Sequence, residues 1–156
     1  MPVRDGHKDH RFVAGHAPTE MIANAVHVSL VRASSTSTRV SIRVDAGHAF
    51  PTGDMFRRAR LQVFAEDARG TIIGDAERIF GRTWGGETTG PHAGRRKETS
   101  DTRIRGAHEE TIALDATPGT IARVRWSLVY ERVIAMRGPH VELASSDVIA
   151  EGAASW

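Results

Sequence analysis

From Ala122 to Tyr130 the chain alternates without a break. Ala122, Val124, Trp126, Leu128 and Tyr130 fall on one phase, and Arg123, Arg125, Ser127 and Val129 on the other. Side chains of a β-strand point to opposite faces with a period of two, so a run like this buries one face. A helix brings together residues three and four apart, and would scatter these apolar groups around its surface. Trp126 and Tyr130 are therefore the large core candidates of a strand.

The same period recurs upstream. Val26, Val28 and Leu30 alternate with His27 and Ser29, and Val40, Ile42 and Val44 with Ser41, Arg43 and Asp45. The Ser34–Ser37 cluster between them is a turn, which predicts an antiparallel hairpin. Ala59, Leu61, Val63 and Ala65 alternate with Arg60, Gln62 and Phe64. Thr71-Ile72-Ile73 opens another strand, predicted to reach Ile79-Phe80 with a break near Gly74-Asp75. A further strand lies at Glu110–Leu114. Residues 83–108 carry no strand pattern and are expected to form one long loop, a rare feature that is usually functional or disordered. The tail after Val133 shows only weak apolar runs at 141–143 and 148–149. No long amphipathic helix is present. The expected class is all-β, an antiparallel β-sandwich of immunoglobulin-like or fibronectin-like architecture. Residues 1–24 are expected to form an irregular, histidine-containing arm with a short helical turn near Pro18-Thr19-Glu20, and residues 25–156 the sandwich domain.

Composition narrows the function classes. The 156 residues include no cysteine, which excludes disulfides, thiolate metal sites and covalent c-type haem within this chain. No run of apolar residues is long enough to span a membrane, and the start shows no secretory signal. The net charge of +2 is mild, aromatic residues make up 6%, and the basic residues are dispersed, which argues against nucleic acid. There is no nucleophile elbow, phosphate loop or dinucleotide fingerprint, so nothing positive points to an enzyme.

Histidine is the unusual residue, with eight copies, three of them at His7, His10 and His16. Their spacing fits no zinc motif, so they read either as a solvated arm or as ligands. His48 lies in Ala46-Gly47-His48-Ala49-Phe50-Pro51-Thr52-Gly53, between two strands. Gly47 and Gly53 permit unusual backbone angles and Pro51 stiffens the exit. Either Phe50 plugs the core and His48 holds the turn through backbone hydrogen bonds, or the loop presents His48 as a ligand. His10, His16 and His48 together would make a nitrogen and oxygen site for copper or zinc. His27, His92, His108 and His140 are expected at the surface, the last three in loops. A third alternative is a carbohydrate- or protein-interaction module using Trp84 and the 83–108 segment.

Two sets of residues carry a resemblance. Met1-Pro2 through Asp9-His10-Arg11-Phe12 with Gly15-His16 resembles the segment that follows the last haem-attachment motif of multihaem c-type cytochromes. The Gly47–Gly53 loop with Arg58 resembles the Gly-His-x-x-Pro-Thr-Gly loop of the β-domain after the haem region. Asp101-Thr102-Arg103-Ile104 and Tyr130-Glu131-Arg132 look like its later landmarks. The resemblance implies the carboxy-terminal, non-haem β-sandwich of such a cytochrome or a free-standing relative, an accessory rather than catalytic domain in a periplasmic or extracellular setting. It implies His10, with His16 second, as an axial ligand to a haem carried elsewhere, and a ligand or haem-edge role for His48. The chain departs from the family in having no C-x-x-C-H. Any haem must come from a multihaem region upstream or on a separate chain, and the start just past the expected motif suggests a fragment.

Overall fold

The computed structural model describes residues 3–4, 7–8, 20–52, 56–86, 89–91, 94–137 and 140–156. The elements are β1 (Val3–Arg4), β2 (His7–Lys8), α1 (Glu20–Ala25), β3 (Val26–Arg32), β4 (Ser37–Val44), β5 (Arg57–Glu66), β6 (Ile72–Gly86), β7 (Arg96–Asp101), β8 (Ala107–Ala113), β9 (Arg123–Arg137) and β10 (His140–Ser155). β1 and β2 pair with each other. The others form a three-stranded sheet, β3-β4-β8, and a five-stranded sheet, β10-β9-β5-β6-β7. Every pairing is antiparallel. The chain makes two strands of the small sheet, crosses for three of the large, returns for β8, and ends with two of the large. The protein is an all-β sandwich, as expected, wired like immunoglobulin-type domains.

The alternating runs form the facing layers. Val40, Ile42 and Val44 of β4 and Ile112 of β8 pack against Ala59, Leu61, Val63 and Ala65 of β5 and Val124, Trp126, Leu128 and Tyr130 of β9. Burying each larger aliphatic side chain contributes about 1.5–3 kcal/mol. The Ser34–Ser37 turn closes the expected β3–β4 hairpin, with the Ala33 amide donating to the Ser37 carbonyl at 2.9 Å.

Four expectations are corrected. The 83–108 segment is not one long loop: it holds the end of β6, all of β7 and the start of β8. Every residue of β7 is exposed, so it lacks a buried face and hence an apolar period. Its backbone ladder to β6 holds it instead. β6 also continues through Gly74-Asp75 as one strand, and the expected break there is only a register shift, with Ala65 opposite Gly74 and Glu66 opposite Ile72. Gly74 serves close packing there, since a Cβ would lie 2.5 Å from the Asp115 carbonyl oxygen. The tail after Val133 forms the longest hairpin among the described residues, β9 with β10, paired from His140↔Arg137 to Ser155↔Arg123 with three local shifts. Small and polar residues on β10 hid it. Nor do His108 and His140 lie in loops. His108 sits on β8, half-buried, its ring edge-on to Phe80 at 5.1 Å, and His140 opens β10.

Gly152 lies opposite Trp126, and a Cβ there would meet the indole carbon Cζ2 at 2.6 Å. Gly152→Ala is expected to lower stability by about 1–3 kcal/mol through overpacking, read as the shift in the urea unfolding midpoint. Gly70→Ala, at a positive-φ turn with open space around it, is the comparison for backbone strain without crowding.

Candidate functional site

The loop carrying His48 crosses from the small sheet to the large one at the end of the sandwich. Ala49, Phe50 and Pro51 are buried in it. The Phe50 amide donates to the Ile104 carbonyl at 2.8 Å, and the Ile104 amide returns the bond at 2.7 Å. The Phe50 ring lies 6.2 Å from the Tyr130 ring, tilted by 33°, within the range where aromatic pairs gain beyond area burial. Phe50 thus plugs the core end, as one of the two readings of the loop expects. The Phe50-Pro51 peptide is cis. His48 and Gly47 are exposed. The backbone of Phe50 and Ile104, not the His48 ring, supplies the bonds that tie the loop to the fold. Gly47 is not among the glycines with positive φ, so no left-handed turn requires it.

Next to this plug lies an ion cluster. On β9, Tyr130 points to the core, so Glu131 points to the opposite face, yet Glu131 is 0% exposed. Arg58 and Arg60 come from the same phase of β5. Arg58 Nε donates to Glu131 Oε2 at 2.5 Å, and Arg60 Nη2 lies 2.7 Å from Oε1. The Arg60 contact lacks hydrogen-bond alignment, since Oε1 and Arg60 Nε are both buried without a hydrogen bond. It is a Coulombic contact, while the Arg58 bond is directed. Val129 and Val133, above and below Glu131 on this outward phase, are buried too.

The Asp101–Ile104 segment joins the plug to the ion cluster. The Thr102 amide donates to the Gly81 carbonyl at 2.8 Å, the Gly81 amide donates to Thr102 Oγ1 at 3.1 Å, and that hydroxyl donates to the Ile79 carbonyl at 3.1 Å. Gly81 stands opposite Arg58 across the β5–β6 ladder, with room for a Cβ only 3.2 Å from that of Arg58. Asp101 receives Arg103 through both oxygens, at 2.8 and 2.7 Å, and Arg105 lies at 3.5 Å. The Arg103 hydrogen bonds hold the Asp101 carboxyl far below the usual carboxylate range, and raise the Arg103 guanidinium in turn.

The structure therefore brings together Phe50, Pro51, Arg58, Thr102, Ile104, Tyr130 and Glu131. It does not bring together the histidines. His10 and His16 lie outside the described residues, and among the described residues no group of three His, Asp or Glu is placed to hold a metal ion. Trp84 is half-buried on β6, with the Arg82 guanidinium 5.2 Å from its ring centroid. The role of Glu131 was not assigned from sequence. Its one signal was a carboxylate in the outward phase of β9 facing Arg58 and Arg60 two residues apart.

These features define an antiparallel β-sandwich closed at one end by a cross-sheet aromatic loop and a buried Arg–Glu–Arg cluster. The solved penta-haem cytochrome c552 from Thermochromatium tepidum contains a similar fold: the match has a TM-score of 0.73 at 22% identity, covering 100% of this chain and 46% of that one. The chain thus spans about half the length of that protein. No protein-family model matches the chain, and no curated protein does.

Glu131→Ala is expected to destabilise the fold by about 3 kcal/mol, because it takes the carboxylate from the partly buried Arg58 and leaves the Arg60 guanidinium with Glu77 at 3.5 Å. Combining Arg58→Met, Arg60→Leu and Glu131→Leu is expected to recover most of that loss, as read from denaturant unfolding midpoints. Asp101 gives a pH prediction. Its folded pKa is depressed, so its contribution is present above the unfolded value near 4 and is lost as pH falls toward the folded one. The stability gap between wild type and Asp101→Asn is therefore expected to be constant from pH 5 to 8 and to shrink below about pH 4; thermal unfolding across that range measures it.

Proposed function

We propose that this chain is the non-catalytic β-sandwich region of a multihaem electron-transfer cytochrome, and that it docks on the haem-bearing part. The observation that carries the reading is the match of the whole chain to 46% of a penta-haem cytochrome. It is supported by the convergence of loop residues 47–52, Arg58, Asp101–Ile104 and Tyr130–Arg132, since separate stretches that resemble one family's β-domain form one junction in space.

The residues present do not fit a resident haem. The chain has no cysteine for thioether bonds, and its described histidines are not grouped around a common point with acidic partners. The haem in this reading belongs to the partner region. Contact from this chain is assigned to His10 in the arm, with His16 second and exposed His48 as a haem-edge candidate. An imidazole supplied to the open axial position of a haem iron would set its spin state and raise or lower its potential through the ligand field. The setting is periplasmic or extracellular, where c-type cytochromes with this architecture would meet their redox partners. Among the described residues no helix is long and apolar enough to cross a membrane.

The gene neighbourhood gives the first test. Several C-x-x-C-H motifs are expected in frame upstream or on an adjacent reading frame, and a neighbourhood with none would overturn the proposal. In the assembled cytochrome, His10→Ala is expected to convert one haem from low-spin to high-spin absorption and leave the others unchanged.

A further inference from the structure

At the end of β5 and β9 away from the Phe50 plug, the outward face of the large sheet holds a second set of charged side chains. Phe64 stands opposite Arg125, and Arg125 opposite Ala153. One same-face step to one side, Glu66 faces Arg123 and Arg123 faces Ser155. One step to the other, Gln62 faces Ser127 and Ser127 faces Glu151. Trp126, on the alternate phase of β9, belongs to the core, so Arg123, Arg125 and Ser127 project away from it.

Arg125 leans toward β5. Its Nε donates to Glu66 Oε1 at 2.8 Å, and its guanidinium lies 5.6 Å from the centre of the Phe64 ring. On its other side β10 offers only Ala153, which is too small to fill the space. The result is a depression of about 460 Å³, with Phe64, Arg123, Arg125, Ser127, Glu151 and Ala153 in its lining. Sites for small molecules ordinarily measure about 300–1,000 Å³.

Three polar groups around it are uncommitted. Arg125 answers Glu66, but Arg123 and Glu151 form no ion pair with any described residue, and the Ser127 hydroxyl makes no hydrogen bond to one. Arg123 and Glu151 are both exposed. They carry opposite charges on one face yet stand apart. Ser155 is opposite Arg123, and Glu151 lies four residues before it on β10, which is about 13 Å along a strand. Opposite charges separated by a floor of small residues match a ligand that carries both charges on an extended body. The Arg123 guanidinium would meet a carboxylate, the Glu151 carboxylate an ammonium, and the Ser127 hydroxyl an amide between them. A simple anion or cation would leave one of the two charges unanswered. A tripeptide spans at most about 10–11 Å, and the flexible Arg123 and Glu151 side chains close the remaining gap.

We propose that this depression binds a short zwitterionic ligand, of the class of a tripeptide with free ends, with its carboxylate toward Arg123 and its ammonium toward Glu151. The site lies at the opposite end of the sheet from the junction of Phe50 with Tyr130 and Glu131. It does not depend on the reading of the chain as part of a cytochrome.

The test titrates trialanine into the isotopically labelled chain and follows the Ser127 and Ala153 amides by NMR. Saturable binding that weakens with added salt is expected. Removing either ligand charge, with an N-acetyl cap or a C-terminal amide, is expected to weaken binding about three- to fivefold, the scale of an exposed ion pair. Arg123→Gln is expected to weaken trialanine binding by a similar factor and to leave binding of the C-terminal amide unchanged. Glu151→Gln is expected to do the same for trialanine and to leave binding of the N-acetyl form unchanged. Ala153→Leu, on the exposed side of β10, fills the floor and is expected to abolish binding of every form. Urea unfolding midpoints establish that each variant is folded. The assignment is overturned by the absence of a saturable shift at those amides, or by capped and free peptides binding wild type equally. It is also overturned if either charge variant binds every form as wild type does, or if a neutral trisaccharide displaces trialanine, since hydroxyl groups and not charges would then be recognised.

Discussion

The Glu131 carboxylate is the constraint on which this end of the molecule depends. It is buried on the face of the sheet away from the core, where an ionised group survives only if its charge is answered nearby. Arg58 and Arg60 answer it, and they can do so in one register only. A slip of β5 by one residue would turn both guanidiniums to the other face and bring Ala59 against the carboxylate. The cluster therefore fixes β5 against β9 more sharply than apolar alternation does, since aliphatic rows two residues apart are interchangeable. Its net contribution to stability need not be large. Its main effect is to penalise the alternatives.

Once that register is set, the neighbouring contacts follow. Glu131 opposite Arg58 places Tyr130 opposite Ala59 on the core side, where a small partner leaves space for the Phe50 ring. Phe50 against Tyr130 holds the cross-sheet loop, and its backbone pairing with Ile104 brings Thr102 to Gly81. Gly81 faces Arg58 again, which closes the circuit. Each link differs in kind: an ion pair, an aromatic contact, two backbone bridges and a glycine in close approach. A perturbation at one should be felt at the others, because they share the same few residues of β5 and β9.

The period-two runs at Val26–Leu30, Val40–Val44, Ala59–Ala65 and Ala122–Tyr130 made the sandwich legible in the sequence, because each buries one face against the opposite sheet. β7 and most of β10 were illegible for the converse reason: they are held by backbone ladders at the sheet edge, which leave no apolar signature. The site divides in the same way. The plug role of Phe50 could be read from an aromatic held between glycine and proline. The burial of Glu131 could not, because an outward phase normally means solvent, and only the paired geometry of β5 and β9 shows that Arg58 and Arg60 cover it. The histidines attracted notice by number, but number carries no information on convergence, and His48 turned out to project from the surface while its neighbours Ala49 and Phe50 form the interior.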